Sequence, residues 1–167
     1  MDAEATVRAY YDALRDGEPL YPFFAREEST VKFGIGERLT GYEEVEAGLR
    51  AQTETTEGWA VDSDRLVVAE RDDHAYFSDD VFMAWNSLER GIRYEFDTRW
   101  SGTLERREDD RLGTDWRFVG MHVSCEALRA SGGASSAERR SADRSSGQSP
   151  REDGDASEPR ATEGATR

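Results

Sequence analysis

The clearest alternation of apolar and polar positions lies in the second half of the chain, between Ile92 and Glu105. One set of alternate positions carries Tyr94, Phe96, Thr98 and Trp100. The other set carries Arg93, Glu95, Asp97, Arg99 and Ser101. A period of two indicates a β-strand and fits a helix poorly. The polar run 108–114 predicts a turn, and the apolar positions of 115–124 predict a partner strand. Together these segments predict an antiparallel hairpin.

Apolar positions near the start of the chain follow a helical period instead. Four of them share one stripe at i, i+3, i+4 and i+7: Val7, Tyr10, Tyr11 and Leu14. Asp2 is a suitable N-cap for this helix, and Gly17 is a suitable stop. Pro19 and Pro22 allow only a short helical turn after it. A second helix is predicted after Gly41, with an apolar stripe of Tyr42, Val45 and Leu49.

Shorter apolar runs predict the remaining strands. Segments 30–35 and 65–70 are short, whereas 74–85 is long enough to cross a sheet. The long segment places on one face Ala75, Phe77, Asp79, Val81, Met83 and Trp85. Helices followed by a run of antiparallel strands predict an α+β fold, with the helices packed on one face of the sheet.

Composition divides the chain into two parts. A length of 167 residues suits one domain. From Ala130 onward the chain lacks aromatic residues and cannot bury enough apolar surface to offset its ordering entropy. We therefore expect a folded domain over 1–128 and a disordered polar tail over 129–167. Slow amide hydrogen exchange in the tail would contradict this expectation.

Charge is the strongest global signal. The chain has 36 acidic and 22 basic residues, a net charge of −14, and Lys32 is its only lysine. This acidity argues against binding to nucleic acids or anionic membranes. An acidic, lysine-poor chain is typical of proteins from salt-loving archaea, although GC-rich coding DNA also replaces lysine by arginine. The chain has no long apolar run and no signal-peptide pattern, which predicts a cytoplasmic protein.

Metal and cofactor chemistry have little support in the sequence. Cys125 is the only cysteine, so neither an internal disulfide nor a thiolate cluster is expected. His74 and His122 do not have the close spacing of a metal-binding pair. No glycine-rich phosphate loop occurs. We therefore predict neither a metal nor a cofactor.

Three local motifs resemble the SnoaL-like branch of the nuclear transport factor 2 (NTF2)-like superfamily. They are Val-Lys-Phe-Gly-Ile-Gly-Glu-Arg-Leu-Thr-Gly-Tyr-Glu-Glu-Val (31–45), Arg-Trp-Ser-Gly-Thr-Leu-Glu-Arg-Arg (99–107) and Trp-Arg-Phe-Val-Gly-Met-His-Val-Ser (116–124). The resemblance covers roughly 3–126. It implies a cone: N-terminal helices packed on a curved, mixed, mainly antiparallel sheet around an apolar-walled pocket. It also implies frequent dimerisation through the sheet, and so predicts a homodimer.

Arg99 and His122 fall on adjacent predicted strands and are expected to project into the cone. There Arg99 would bind a carboxylate or enolate, and His122 would transfer a proton. The alternative is an internal Arg–Asp pair with a structural histidine, for which Asp79 and Asp97 are available partners. Asp79 is the candidate general base, since apolar neighbours favour proton uptake by a carboxylate. The remaining candidate ligand contacts are Tyr11, Trp85 and Ser124.

Three functions remain open at this stage. The first is a domain that binds a small hydrophobic ketone or acid, with uncertain activity. The second is a cofactor-free isomerase, cyclase or dehydratase that works by proton transfer. The third is a dimeric scaffold whose cone is filled by side chains. The superfamily includes enzymes and non-catalytic binders, so the choice among them depends on the site itself.

Overall fold

A computed structural model describes residues 1–107 and 112–125, and the predicted tail 129–167 lies outside the described residues. The helical elements are α1 (Ala3–Asp16), a short 3₁₀ turn (Tyr21–Phe23) and α2 (Tyr42–Thr55). The strands are β1 (Val31–Gly34), β2 (Glu37–Thr40), β3 (Thr56–Ser63), β4 (Val67–Glu70), β5 (His74–Ser87), β6 (Ile92–Arg106) and β7 (Trp116–Cys125).

Helix α1 begins and ends as its sequence predicts. The Asp2 side chain accepts a hydrogen bond of 2.7 Å from the backbone N–H of Ala5, which satisfies one free donor of the first turn. Gly17 has a φ of 69°, the left-handed conformation that glycine adopts without steric cost. The apolar stripe between these caps is buried. No helix of the described part of the chain is both long and apolar enough to cross a bilayer.

The strands form one mixed sheet of seven strands in the order β2-β1-β7-β6-β5-β3, with β4 paired to β5 beside β3. All pairs are antiparallel except β1 with β7. The sheet is curved and does not close into a barrel. The predicted α+β class, with helices on a curved and mainly antiparallel sheet, is confirmed.

Two strands, β2 and β3, were not predicted from the sequence. β2 is only four residues long and has no buried position, so it carries no strong apolar period. β3 follows α2 directly and contains a bulge near Gly58, where its register against β5 shifts. A bulge interrupts the alternation by which a strand is recognised.

The three long strands divide the molecule into an inner face, which the helices cover, and an outer face. On β6, Thr98, Trp100 and Leu104 are buried and belong to the inner face, while Arg99 and Ser101 are exposed. The core of the inner face is aromatic. The ring of Tyr10 lies edge-to-face against five others, those of Tyr11, Phe23, Phe24, Trp100 and Phe118.

Gly102 lies where β6 crosses the core with no space for a side chain. A Cβ at this position would be 2.6 Å from the carbonyl oxygen of Gly120 and 2.6 Å from Cε1 of Phe77. The nearby Gly120 offers a matched control, because a Cβ there would be 3.7 Å from its nearest neighbour, on Val31.

We predict that Gly102→Ala lowers the free energy of unfolding by about 1–3 kcal/mol, the usual cost of overpacking a core. Gly120→Ala should change it by much less, since its Cβ makes an ordinary van der Waals contact. Urea-induced unfolding followed by tryptophan fluorescence measures both. Equal stability of the two variants would contradict the close packing at Gly102.

Candidate functional site

A cavity of about 200 Å³ lies between the inner face of the sheet and the two helices. Its walls are mainly aromatic and aliphatic, and include Trp59, Met83, Trp85, Trp100, Met121 and Val123. Its polar lining residues are Tyr10, Lys32, Glu37, Gln52 and Thr56. An apolar cavity with a few converging polar groups is the usual form of a small-molecule site.

An ion pair forms the most polar part of this cavity. The Lys32 ammonium lies 2.7 Å from Oε2 of Glu37, and the two side chains are 7% and 37% exposed. Lys32 is on β1, in register with Met121 of the parallel β7, so it points to the inner face. Glu37 begins β2 across the hairpin turn, opposite Gly34. The hairpin thus places a buried cation beside a carboxylate that water can reach.

Gly34 packs against this ion pair with no space for a side chain. A Cβ at Gly34 would be 2.9 Å from Oε2 of Glu37 and 3.5 Å from the Lys32 ammonium. The first distance is too short for any real Cβ contact, so a side chain here would displace the carboxylate. Gly34 itself lines the cavity.

Tyr10 adds a phenol to the same cavity. Tyr10 is 2% exposed, and its hydroxyl makes no hydrogen bond to a residue that the structure describes. Burial, together with the negative charge of Glu37, raises the pKa of the Tyr10 phenol above its usual range. The phenol therefore remains protonated and is available as a hydrogen-bond donor inside the cavity.

Asp79 and Tyr11, two predicted site residues, lie together on the inner face but outside the cavity lining. The Tyr11 hydroxyl donates a hydrogen bond of 3.2 Å to Oδ2 of Asp79. The backbone N–H of Arg65 donates one of 3.0 Å to Oδ1. Burial, and then the charge of Asp79, raises the pKa of Tyr11 above its usual range. Both carboxylate oxygens are thus engaged within the protein.

Trp85 lies at the edge of the cavity, as a ligand contact would require. Its ring is stacked on Trp59 at 4.8 Å between centroids and on Tyr94 at 5.3 Å. All three rings are half-buried.

The remaining predicted site residues, Arg99, His122 and Ser124, lie together on the outer face. Arg99 pairs across the strands with Ser124, and His122 pairs with Ser101. The prediction that Arg99 and His122 project into the cone is wrong. Both are exposed, because the inner-face positions of their strands belong to Trp100, Met121 and Val123. Among the described residues, Arg99 forms no ion pair with either of its expected partners, Asp79 and Asp97.

Sequence reasoning did not assign Lys32 or Glu37 to a site, and it named Tyr10 or Tyr11 as a possible source of a phenol. One signal was present: Lys32 is the only lysine of the chain and lies in an alternating apolar segment. Among the described residues, no group of three or more His, Cys, Asp or Glu side chains is arranged to hold a metal ion.

The family model for the SnoaL-like domain matches residues 3–127. The chain belongs to the SnoaL-like domain family. This assignment confirms the resemblance that the three sequence motifs indicated. No curated protein matches the chain.

Solved structures with this fold support the same assignment. A nuclear transport factor 2 (NTF2-like) superfamily protein from Salmonella enterica serovar Typhimurium superposes with a TM-score of 0.63 at 15% identity, covering 78% of this chain and 93% of that chain. A ketosteroid isomerase-like protein from Erwinia carotovora atroseptica gives 0.58 at 16% identity, covering 74% and 93%. A scytalone dehydratase candidate from Novosphingobium aromaticivorans gives 0.60 at 12% identity, covering 74% and 81%. Identities this low establish an NTF2-like fold alone.

Replacing the two members of the ion pair should have unequal effects on the free energy of unfolding. Glu37→Gln removes the charge that balances a buried ammonium, so we predict that it lowers the free energy of unfolding by about 1–3 kcal/mol. Lys32→Met should cost less, because it leaves a carboxylate that solvent can hydrate and adds apolar contact. Urea unfolding measures both variants and the double variant, which should recover much of the Glu37→Gln loss. A larger loss for Lys32→Met would contradict this prediction.

Proposed function

We propose that this domain binds a small hydrophobic ketone or acid in the cavity of its inner face. The observation that carries the proposal is the polar corner formed by Tyr10, Lys32 and Glu37 within aromatic walls. Such a corner would orient one oxygen-bearing group, while the rest of the ligand would contact apolar surface.

Unused hydrogen-bond donors support an oxygen acceptor on the ligand. An ammonium has three N–H donors, and among the described residues Lys32 uses one, to Glu37. The Tyr10 hydroxyl is likewise without a partner there. A carbonyl or carboxylate oxygen that accepts from both groups would gain two hydrogen bonds, one of them from a charged donor.

The tryptophans offer a direct test with an internal control. Trp59, Trp85 and Trp100 line the cavity, whereas Trp116 is fully buried elsewhere. We expect phenylacetate or acetophenone to shift the indole N–H resonances of the first three in a saturable manner and to leave that of Trp116 unchanged. Loss of a hydrogen bond to the ligand in Lys32→Met or Tyr10→Phe should weaken binding by about tenfold.

Arg8→Gln is the matched control, because Arg8 lies on the exposed side of α1 and pairs with Glu4. It should bind both probes as the natural chain does. The proposal would be contradicted if neither the two probes nor longer acids and ketones shifted any of the three indole resonances of the cavity. A cone filled by side chains, the scaffold alternative, predicts that failure.

A proton-transfer enzyme is the second candidate, and the position of Glu37 favours it. A carboxylate base beside a phenol in an apolar site is the arrangement by which ketosteroid isomerase stabilises an enolate. Glu37 lines the cavity, whereas both oxygens of Asp79 are already bound within the protein. Glu37 would remove a proton next to the ketone carbonyl, and Tyr10 and Lys32 would stabilise the enolate oxygen.

Exchange of the α-protons of phenylacetone in D₂O, followed by proton NMR, tests this second candidate without knowledge of the natural substrate. We expect the natural chain to accelerate exchange, and Glu37→Gln to lower the catalysed rate by about 100-fold or more. Asp79→Asn should retain it. Binding of the ketone without any acceleration would remove the enzyme proposal and leave the binding proposal intact.

Three broader proposals concern the state of the protein. NTF2-like domains often oligomerise, and we propose a homodimer; a monomer mass by light scattering would contradict it.

The net charge of −14 supports a protein from a halophile that works in a salt-rich cytoplasm, since salt screens self-repulsion. A free energy of unfolding that does not rise with KCl would contradict this. The boundary between domain and tail near residue 128 agrees with the family match to residues 3–127.

A further inference from the structure

We infer that the outer face of the sheet carries a second binding site, for a small oxyanion such as a carboxylate or phosphate group. The site is an open depression of about 640 Å³ across β4, β5, β6 and β7. Its candidate donors are a guanidinium, an imidazole and three hydroxyls, from Arg99, His122, Ser78, Ser101 and Ser124. Three further charged residues line the same depression, Arg65, Asp79 and Asp80. The inference goes beyond the inner-face ligand proposed above.

The sheet register brings these groups into two neighbouring rows. One row runs from Asp80 through Arg99 to Ser124. The other runs from Ser78 through Ser101 to His122. Directly opposite residues of paired strands have Cβ atoms roughly 5 Å apart, and residues two apart on one strand are about 7 Å apart. An oxyanion of a few ångströms can therefore reach the guanidinium, the imidazole and a hydroxyl at once.

None of these donors has an internal partner. Within the described part of the chain, Arg99, His122 and the three serines make no hydrogen bond or ion pair with one another or with neighbouring groups. The His122 ring does contact the ring of Phe33, edge-to-face at 6.2 Å between ring centroids. Most arginines described here pair with an acid, as Arg93 does with Glu95 on the same strand. Arg99 lacks such a partner.

The neighbouring acids set the electrostatic balance of the site. Asp80, next to Arg99 in its row, lies 3.5 Å from the guanidinium of Arg65, which also contacts Asp64. Arg65 therefore offsets part of the negative charge at this edge. Asp97, two residues before Arg99 on the same strand, is exposed and adds negative charge on that side. Arg99 and His122 remain as donors. A guanidinium can donate two parallel hydrogen bonds to an oxyanion, and the imidazole can donate another.

The backbone of the sheet separates this site from the inner cavity. Arg99 is adjacent in sequence to Trp100, which lines the cavity, and His122 lies between the cavity residues Met121 and Val123. Adjacent residues of a strand point to opposite faces. The two linings share Trp100, but none of the polar groups of the inner cavity lines the outer depression.

The two histidines of the chain make the experiment internally controlled. His122 is in the site, whereas His74 lies at the start of β5 and its Nδ1 is 2.7 Å from Oδ1 of Asp73. We titrate the protein with inorganic phosphate and, separately, with acetate, at fixed pH and with chloride keeping the ionic strength constant. The expected result is a saturable shift of the His122 ring resonances with either anion, while His74 and the indoles of Trp59 and Trp85 do not move.

Arg99→Gln should weaken the binding by about tenfold, the loss of one charge-assisted hydrogen bond. Arg93→Gln is the matched control, because it removes an exposed arginine from the same strand and face, about 20 Å away at 3.3 Å per residue. A response to only one anion identifies the head group and supports the site. Three results would overturn the inference: no saturable shift, equal shifts at His74, or an unchanged affinity in Arg99→Gln. A second copy of the chain packed over this face would block the site and so give no saturable shift.

Discussion

The structure depends on the alternation of side chains along β5, β6 and β7, which a bulge in β7 interrupts once, opposite Thr103 and Leu104. Each strand contributes one set of side chains to the inner face and the next set to the outer face, and the backbone between them admits no exchange. On β6 this puts Trp100 against helix α1 and leaves Arg99 in solvent. A one-residue slip would reverse every such assignment, so the burial of the aromatic core fixes the register of the polar face as well. The chemistry of both faces follows from that packing.

Helix α1 applies a similar division at shorter range. Tyr10 and Tyr11 are adjacent and both buried, yet successive residues of a helix point about 100° apart. Tyr10 reaches the cavity near Glu37, whereas Tyr11 donates to Asp79 and packs edge-to-face on Trp100 at 5.3 Å. One phenol is therefore consumed by structure and the other is left for a ligand. The two phenols are about equally buried and differ in their hydrogen-bond partners, so the Tyr10 hydroxyl is the one left to donate to a ligand.

The same contrast separates the two acids. Asp79 has both oxygens engaged by Tyr11 and by the Arg65 backbone. Glu37 gives one oxygen to Lys32 and retains 37% of its side-chain exposure. Apolar neighbours were the reason to favour Asp79 from the sequence, but burial among apolar residues also creates the need for internal partners. A buried acid that folding has satisfied is poorly placed to take a proton from a ligand.

These cases define what the sequence could predict. The period of two located β5, β6 and β7 and sorted their side chains into two sets, and Asp2 and Gly17 marked the ends of α1. The sequence did not show which of the two sets faces the helices. On β6, Tyr94 and Phe96 alternate with Arg93 and Glu95, and this alternation separates two faces without showing which one the helices cover. The site at Lys32 and Glu37 needed the β1–β2 hairpin, whose second strand is too short to leave a pattern.

The identity of the cation in the cavity is consistent with this tight geometry. Lys32 is the only lysine among 22 basic residues, so the chain uses arginine at every other basic position. At Lys32 the space is closed by Glu37 and by the backbone of Gly34, where a single added carbon would lie 2.9 Å from the carboxylate. A guanidinium is broad and planar, whereas an ammonium is a compact charge with rotatable donors. A compact ammonium suits this corner, and two of its three donors remain for an oxygen in the cavity.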